Sequence, residues 1–118
     1  MLKIHYFLPS DQTQFFLRQV EKMTPINQIP MEAITLYRKS LEMSGRGNYE
    51  SALNYLSSAV MIAPQFATAI CEMGHCYEKL GRFREAASKF DKVLTMHPTH
   101  VEAEMNRKRV REKIRSDK

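Results

Sequence analysis

The sequence predicts an all-α protein built from stacked helical hairpins, and three observations carry that prediction. Pro30, Pro64 and Pro98 stand 34 residues apart. Between them, apolar residues recur at helical rather than alternating spacing. Four Gly, five Pro and no Trp among 118 residues suit helices better than a many-turned sandwich of strands. At 43% hydrophobic and 26% charged, the composition is that of an ordinary globular domain, which excludes disorder throughout. The length supports one compact domain or a short repeat array, and not two independent cores.

Taken in order, the chain opens with 1–29, an N-terminal capping segment. Ser10 or Asp11 caps a helix that runs to Met23 on Phe15, Phe16, Leu17, Val20 and Met23, and Thr24-Pro25 ends it. From Ala33 to Ser44 apolar residues fall at 33, 34, 36, 37, 41 and 43, and Gly45 and Gly47 stop the helix. Tyr49 to Ile62 repeats the spacing through Ala52, Leu53, Leu56, Ala59 and Val60, and closes before Pro64. A second copy runs from Ala67 to Leu80, turns at Gly81-Arg82, and resumes from Phe83 to Met96. Residues 101–118 are a C-terminal capping helix and basic tail, solvated on one side, with Val101, Ala103, Met105, Val110 and Ile114 as its apolar positions. A stack needs such a polar end.

Laying 33–66 over 67–100 without a gap aligns Ala33 with Ala67, Gly47 with Gly81, Ala52 with Ala86 and Pro64 with Pro98. Those four identities sit where a helix–turn–helix needs small residues, a turn glycine and a terminating proline. The pattern resembles the tetratricopeptide repeat. In 67–100 the motif positions read Ile70, Met73-Gly74, Tyr77, Gly81, Ala86, Phe90 and Pro98. The earlier copy departs from it, with Lys39 where the family has leucine and Ser40 where it has glycine. The resemblance implies a solenoid of two repeats in 30–100 that presents a concave groove from the first helix of each hairpin.

Mapped onto this chain, the groove positions implied by the resemblance are Ile34, Tyr37, Leu41 and Ser44, then Thr68, Cys71, His75, Glu78 and Lys79, then Glu102, Met105, Arg109 and Lys113. Such a groove takes an amphipathic helix or an extended peptide. Tyr37 and Leu41 are the expected apolar anchors, and His75, Lys79 and Arg109 the polar orienting groups. The bland alternative is that Ile34, Tyr37 and Leu41 pack beneath 1–29 instead. Some members of the family clamp a C-terminal carboxylate of chaperone tails. Here the corresponding positions hold Tyr37, Leu41, Glu72, Glu102 and Asn106, which lack the cations for charge-assisted bonds, so that ligand is disfavoured.

Other chemistries are weighed and set aside. Cys71 and His75 are four apart on one helical face, but paired zinc spacing such as C-x2-C is absent, and the expectation is ordinary groove or packing residues with no metal and no cofactor. His97 and His100 follow at a helix end. The charge is +5 with histidines neutral, and +3 of it lies in 101–118. Its run Arg107-Lys108-Arg109 with Arg111, Lys113 and Arg115 is interspersed with acids and carries no stacking aromatics, so a solvated helix is expected rather than nucleic-acid contact. No G-x-S-x-G, phosphate loop or H-E-x-x-H occurs, and the protein is expected not to be an enzyme. Two Cys do not make a disulfide framework, no apolar run nears the roughly 20 residues that span a bilayer, and the opening stretch lacks a leader's cleavage site. The expectation is therefore a cytoplasmic, non-catalytic adaptor that binds a protein or peptide partner. Self-association through the apolar stretch Leu2 to Leu8 is the alternative from another class, and weak nucleic-acid contact through the basic C-terminal helix is a third reading.

Overall fold

The computed structural model describes residues 28–116. The capping helix expected over Ser10–Met23 and the self-association stretch Leu2 to Leu8 lie outside the described residues. Within them the chain forms five helices: α1 (Met31–Gly45), α2 (Tyr49–Ile62), α3 (Ala67–Lys79), α4 (Phe83–Met96) and α5 (Val101–Ser116). Each packs against the next in sequence, which is the nearest-neighbour stacking of a solenoid.

Proline sets where the array begins. Pro30 holds φ at −59°, close to the value its ring imposes, and its carbonyl accepts the amides of Ala33 and Ile34 at 3.0 and 3.2 Å. The first helix therefore starts two residues earlier than the apolar pattern alone implies. The turns inside the two hairpins are the same structure. Gly47 and Gly81 have φ of 80° and 78°, a region that costs other residues a clash at Cβ. At the first turn, Gly47 donates to the Ser44 carbonyl and Asn48 to that of Met43, at 2.9 Å each. At the second, Gly81 donates to Glu78 at 3.0 Å and Arg82 to Tyr77 at 2.8 Å. Both are Schellman closures of a helix C-terminus. Arg82 also lays its guanidinium 4.9 Å above the Tyr77 ring.

The agreement extends along the backbone. Asn48 and Arg82 enter their helices at (−94°, 73°) and (−94°, 74°). Ala63 and His97 leave theirs at (−131°, 85°) and (−136°, 84°). Two hairpins with four identities in 34 thus share one backbone. After the second hairpin the pattern continues into α5, where His100 donates its amide to the His97 carbonyl as Phe66 does to Ala63, both at 3.0 Å. The His100 imidazole adds a cap of its own, its Nδ1 accepting the Ala103 amide at 3.0 Å.

Two hydrophobic cores result, and α3 is the wall between them. One gathers Ala33, Ala52, Leu53, Leu56, Ala59 and Phe66 with Ala69, Met73 and Cys76 of α3. The other gathers Ala86, Phe90, Val93, Ala103 and Val110 with Ile70 and Cys71 of α3. Close approach of paired helices rests on small residues. A Cβ on Gly74 would stand 2.6 Å from Phe90 Cε1. In the first hairpin Ser40 takes that place, fully buried, and its hydroxyl donates to the Tyr37 carbonyl at 2.5 Å. The substitution of serine for glycine therefore keeps the helices close and leaves no polar atom unpaired.

Candidate functional site

The first helices of the stack, α1, α3 and α5, turn one face each toward a common groove. Two hollows lie along it. The larger, about 390 Å³, is bounded by Leu41, Ser44 and Gly45 of α1, Tyr49 of α2, and Glu72, His75, Cys76 and Lys79 of α3. The smaller, about 170 Å³, is bounded by Tyr37 of α1, Thr68, Cys71, Glu72 and His75 of α3, and His100 and Glu102 at the start of α5. Glu72 and His75 border both hollows. Each helix supplies its residues at i, i+3, i+4 and i+7 because those positions share a helical face.

The apolar end is carried by Leu41, 40% exposed, and by Tyr37. The Tyr37 ring packs on Phe66 at 5.3 Å between centroids and against the first core. It is both a groove wall and a packing residue. Ile34 likewise packs against that core, and Ser44 turns its hydroxyl back to the Leu41 carbonyl at 3.2 Å. Thr68 is exposed beside Tyr37 and Cys71, and Lys79 is exposed beside Leu41. Met105 is 61% exposed and borders neither hollow.

The polar end divides into two clusters. In one, Arg109 closes a two-pronged bond on Glu78, Nε and Nη2 each 2.8 Å from a carboxylate oxygen, and Lys113 approaches the same carboxylate at 3.6 Å. The Arg109 hydrogen bond holds the Glu78 carboxyl below its ordinary range, against the opposing effect of burial. In the other cluster, His75 Nε2 lies 3.4 Å from Glu102 Oε2 and 3.4 Å from the Asn106 side-chain nitrogen, and the His75 ring meets Phe90 edge-on at 5.7 Å. Cys71 is buried below them. Burial, reinforced by Glu102 and Glu72, pushes its thiol up to about 12. Burial also raises Glu72, with His75 opposing and Glu102 adding to the effect. Tyr37 is raised in the same way, by burial first and then by Glu72, Cys71 and Glu102.

Tyr37, Leu41, Ser44, Thr68, Cys71, His75, Lys79 and Glu102 thus border the hollows, while Ile34, Glu78, Met105, Arg109 and Lys113 do not. Glu78 and Arg109 are bonded to each other, and Cys71 joins His75 and Glu102 in a cluster whose donor atoms all lie within 4.8 Å of one another. The mapped groove positions passed over Glu72, along with Gly45, Tyr49, Cys76 and His100, which also line the hollows. A lone acid inside the apolar run Ala69-Ile70-Cys71-Glu72-Met73 was the signal for Glu72. His97 borders neither groove hollow; with Ile29 and Phe66 it lines a neighbouring one that shares Thr68 and His100 with the smaller.

The basic run on α5 is engaged in ion pairs with its neighbours. Arg107 and Arg111 reach Asp91 of α4 at 3.3 and 3.4 Å, Arg109 and Lys113 reach Glu78 of α3, and Arg115 pairs with Glu112 at 3.6 Å. No described helix is long and apolar enough to cross a membrane.

Residues 67–100 match the family model described as tetratricopeptide repeat. Among solved structures the chain is similar to MamA 41-end from Desulfovibrio magneticus RS-1, with 28% identity and a TM-score of 0.71 over 75% of this chain and 50% of that one. A MamA RS-1 double mutant aligns with 27% identity and the same TM-score, over 75% of this chain and 49% of that one. The chain thus spans about half the length of these MamA structures. The second TPR of Spaghetti (RPAP3), in a structure bound to the HSP90 peptide SRMEEVD, is similar in fold at 16% identity and a TM-score of 0.69, over 72% of this chain and 79% of that one. The paired Schellman turns, the Gly74–Phe90 contact and the family match across the second hairpin agree: residues 67–100 match the tetratricopeptide repeat, and the described chain is a helical solenoid like those of tetratricopeptide proteins.

Proposed function

We propose that the protein is a non-catalytic adaptor that holds a peptide or helix of a partner protein in its concave groove. The observation that carries this reading is the larger hollow, where exposed Leu41 and partly buried Tyr49 face Glu72, His75 and Lys79 across about 390 Å³. An apolar wall opposite convergent polar groups suits an amphipathic segment, whose apolar side chains give affinity and whose polar ones set register. The peptide-bound structure of the Spaghetti repeat shows that a fold of this shape accommodates a peptide in that protein. The acids at this groove's centre, Glu72 and Glu102, favour a partner that is neutral or basic there, in contrast to the acidic tail of SRMEEVD.

Selection of peptides from a random display library against the full chain tests the reading. Peptides that bind the native protein should lose about tenfold or more in affinity for Leu41→Ala, a loss of roughly 1.4 kcal/mol. Leu41 is the cleaner probe because Tyr37 also packs on Phe66. Selected peptides that bind Leu41→Ala and Lys79→Ala as well as they bind the native chain would place recognition elsewhere and overturn the proposal.

A further inference from the structure

We propose that Cys71, His75 and Glu102 form a binding site for a divalent cation of the zinc class, set into the floor of the concave groove. The sequence offered two donors on one helix face. The fold adds the third from the first turn of α5, so that thiol, imidazole and carboxylate converge from two helices, α3 and α5, with their donor atoms within 4.8 Å of one another. This donor set suits borderline-soft Zn²⁺ rather than Mg²⁺ or Ca²⁺, which take oxygen ligands.

The geometry is close to what coordination requires. His75 Nε2 and Glu102 Oε2 are 3.4 Å apart. Nitrogen and oxygen ligands at bond lengths of about 2.0–2.1 Å sit roughly 3.3–3.4 Å from each other across a tetrahedral ion. The sulfur edge in such a site is roughly 3.6 Å, so Cys71 Sγ closes on the ion by a shift of about 1 Å. The Phe90 edge orients the His75 ring, and the Asn106 side-chain nitrogen, 3.4 Å from the same Nε2, gives up that contact when the ion takes the nitrogen's lone pair. The hollow of about 170 Å³ leaves room for water at a fourth position. On binding, the Cys71 S–H bond breaks, a sulfur–metal bond forms, and the proton passes to solvent.

The proposal needs no partner, so it stands or falls separately from the groove reading. The test uses the full chain, washed with chelator and titrated with Co²⁺, then with Zn²⁺. We expect a sulfur-to-cobalt charge-transfer band that saturates near one equivalent and is displaced by Zn²⁺, with one zinc per chain in native mass spectra. Cys71→Ser should abolish the band. Glu102→Gln, on a side chain 65% exposed and so neutral for folding by circular dichroism, should weaken zinc binding about tenfold or more. Absence of the charge-transfer band with excess cobalt would overturn the site. So would zinc binding undiminished in both variants, which would assign the ion to other donors.

Discussion

At the scale of single residues, the contact between Gly74 and Phe90 decides how closely α3 and α4 pack. A methyl group at 74 meets a fully buried ring at 2.6 and 2.7 Å, and the ring has no solvent to move into. Alanine gains about 1 kcal/mol of helix propensity over glycine, but overpacking a close contact costs about 1–3 kcal/mol. Gly74→Ala is therefore expected to lose up to about 2 kcal/mol net in denaturant melts. Gly45→Ala, with nothing within 4 Å of the added carbon, should be neutral or gain a few tenths. This contrast was legible in the motif, because Gly74 sits at the repeat's small-residue position. Glu78 was legible only as a groove residue. Its pairing with Arg109 depends on two helices, α3 and α5, with the whole of α4 between them in the chain, a relation that no local spacing encodes. Because that pairing holds the folded carboxyl below its ordinary range, the folded chain binds the proton less readily than the unfolded one. The stabilisation is complete above the unfolded value, about pH 4.3, and is lost as pH falls through the folded value. Glu78→Gln should flatten that acid limb in pH-dependent thermal melts while leaving the neutral-pH limb parallel to the native curve.

At the scale of elements, the turns were readable, and α2, α3, α4 and α5 start where the apolar pattern placed them. The glycines at 47 and 81 marked both Schellman closures, since only a left-handed residue completes them. The start of α1 was misplaced by two residues because Pro30 serves as its N-terminal boundary without any side-chain cap. If the two turns are energetically as well as geometrically alike, Gly47→Ala and Gly81→Ala should each cost about 1–2 kcal/mol, equal within the error of chemical denaturation. A large difference between them would mean that one turn relaxes. The charge on α5 also belongs to this scale. The sequence showed a basic run, and the fold spreads it over Asp91 and Glu78 on two different helices, so α5 is held to both members of the preceding hairpin.

At the scale of the whole molecule, α3 joins the two cores, burying Ala69, Met73 and Cys76 in one and Ile70 and Cys71 in the other. A cavity made in the second core should then be felt in the first. Phe90→Ala is expected to cost about 3–4 kcal/mol, and amide hydrogen exchange should speed up in α2 as well as in α4. Retained protection in α1 and α2 would show that the hairpins unfold independently. The cation cluster was the least legible feature at any scale. Cys71 and His75 announce themselves by spacing, but Glu102 joins them only through the curvature that the stacked hairpins impose.

The near-identity of the two hairpin backbones has one more consequence. Shape is held by few positions, chiefly the turn glycines, the small residues between paired helices and the buried side chains of the spine. Most concave positions, Leu41, Thr68, Lys79 and Met105 among them, are exposed and take little part in that job. Lineages of this chain are therefore at liberty to rewrite what the groove recognises, one surface side chain at a time, without renegotiating the architecture beneath it. Cys71, lodged in the second core as well as facing the hollow, is where that liberty ends.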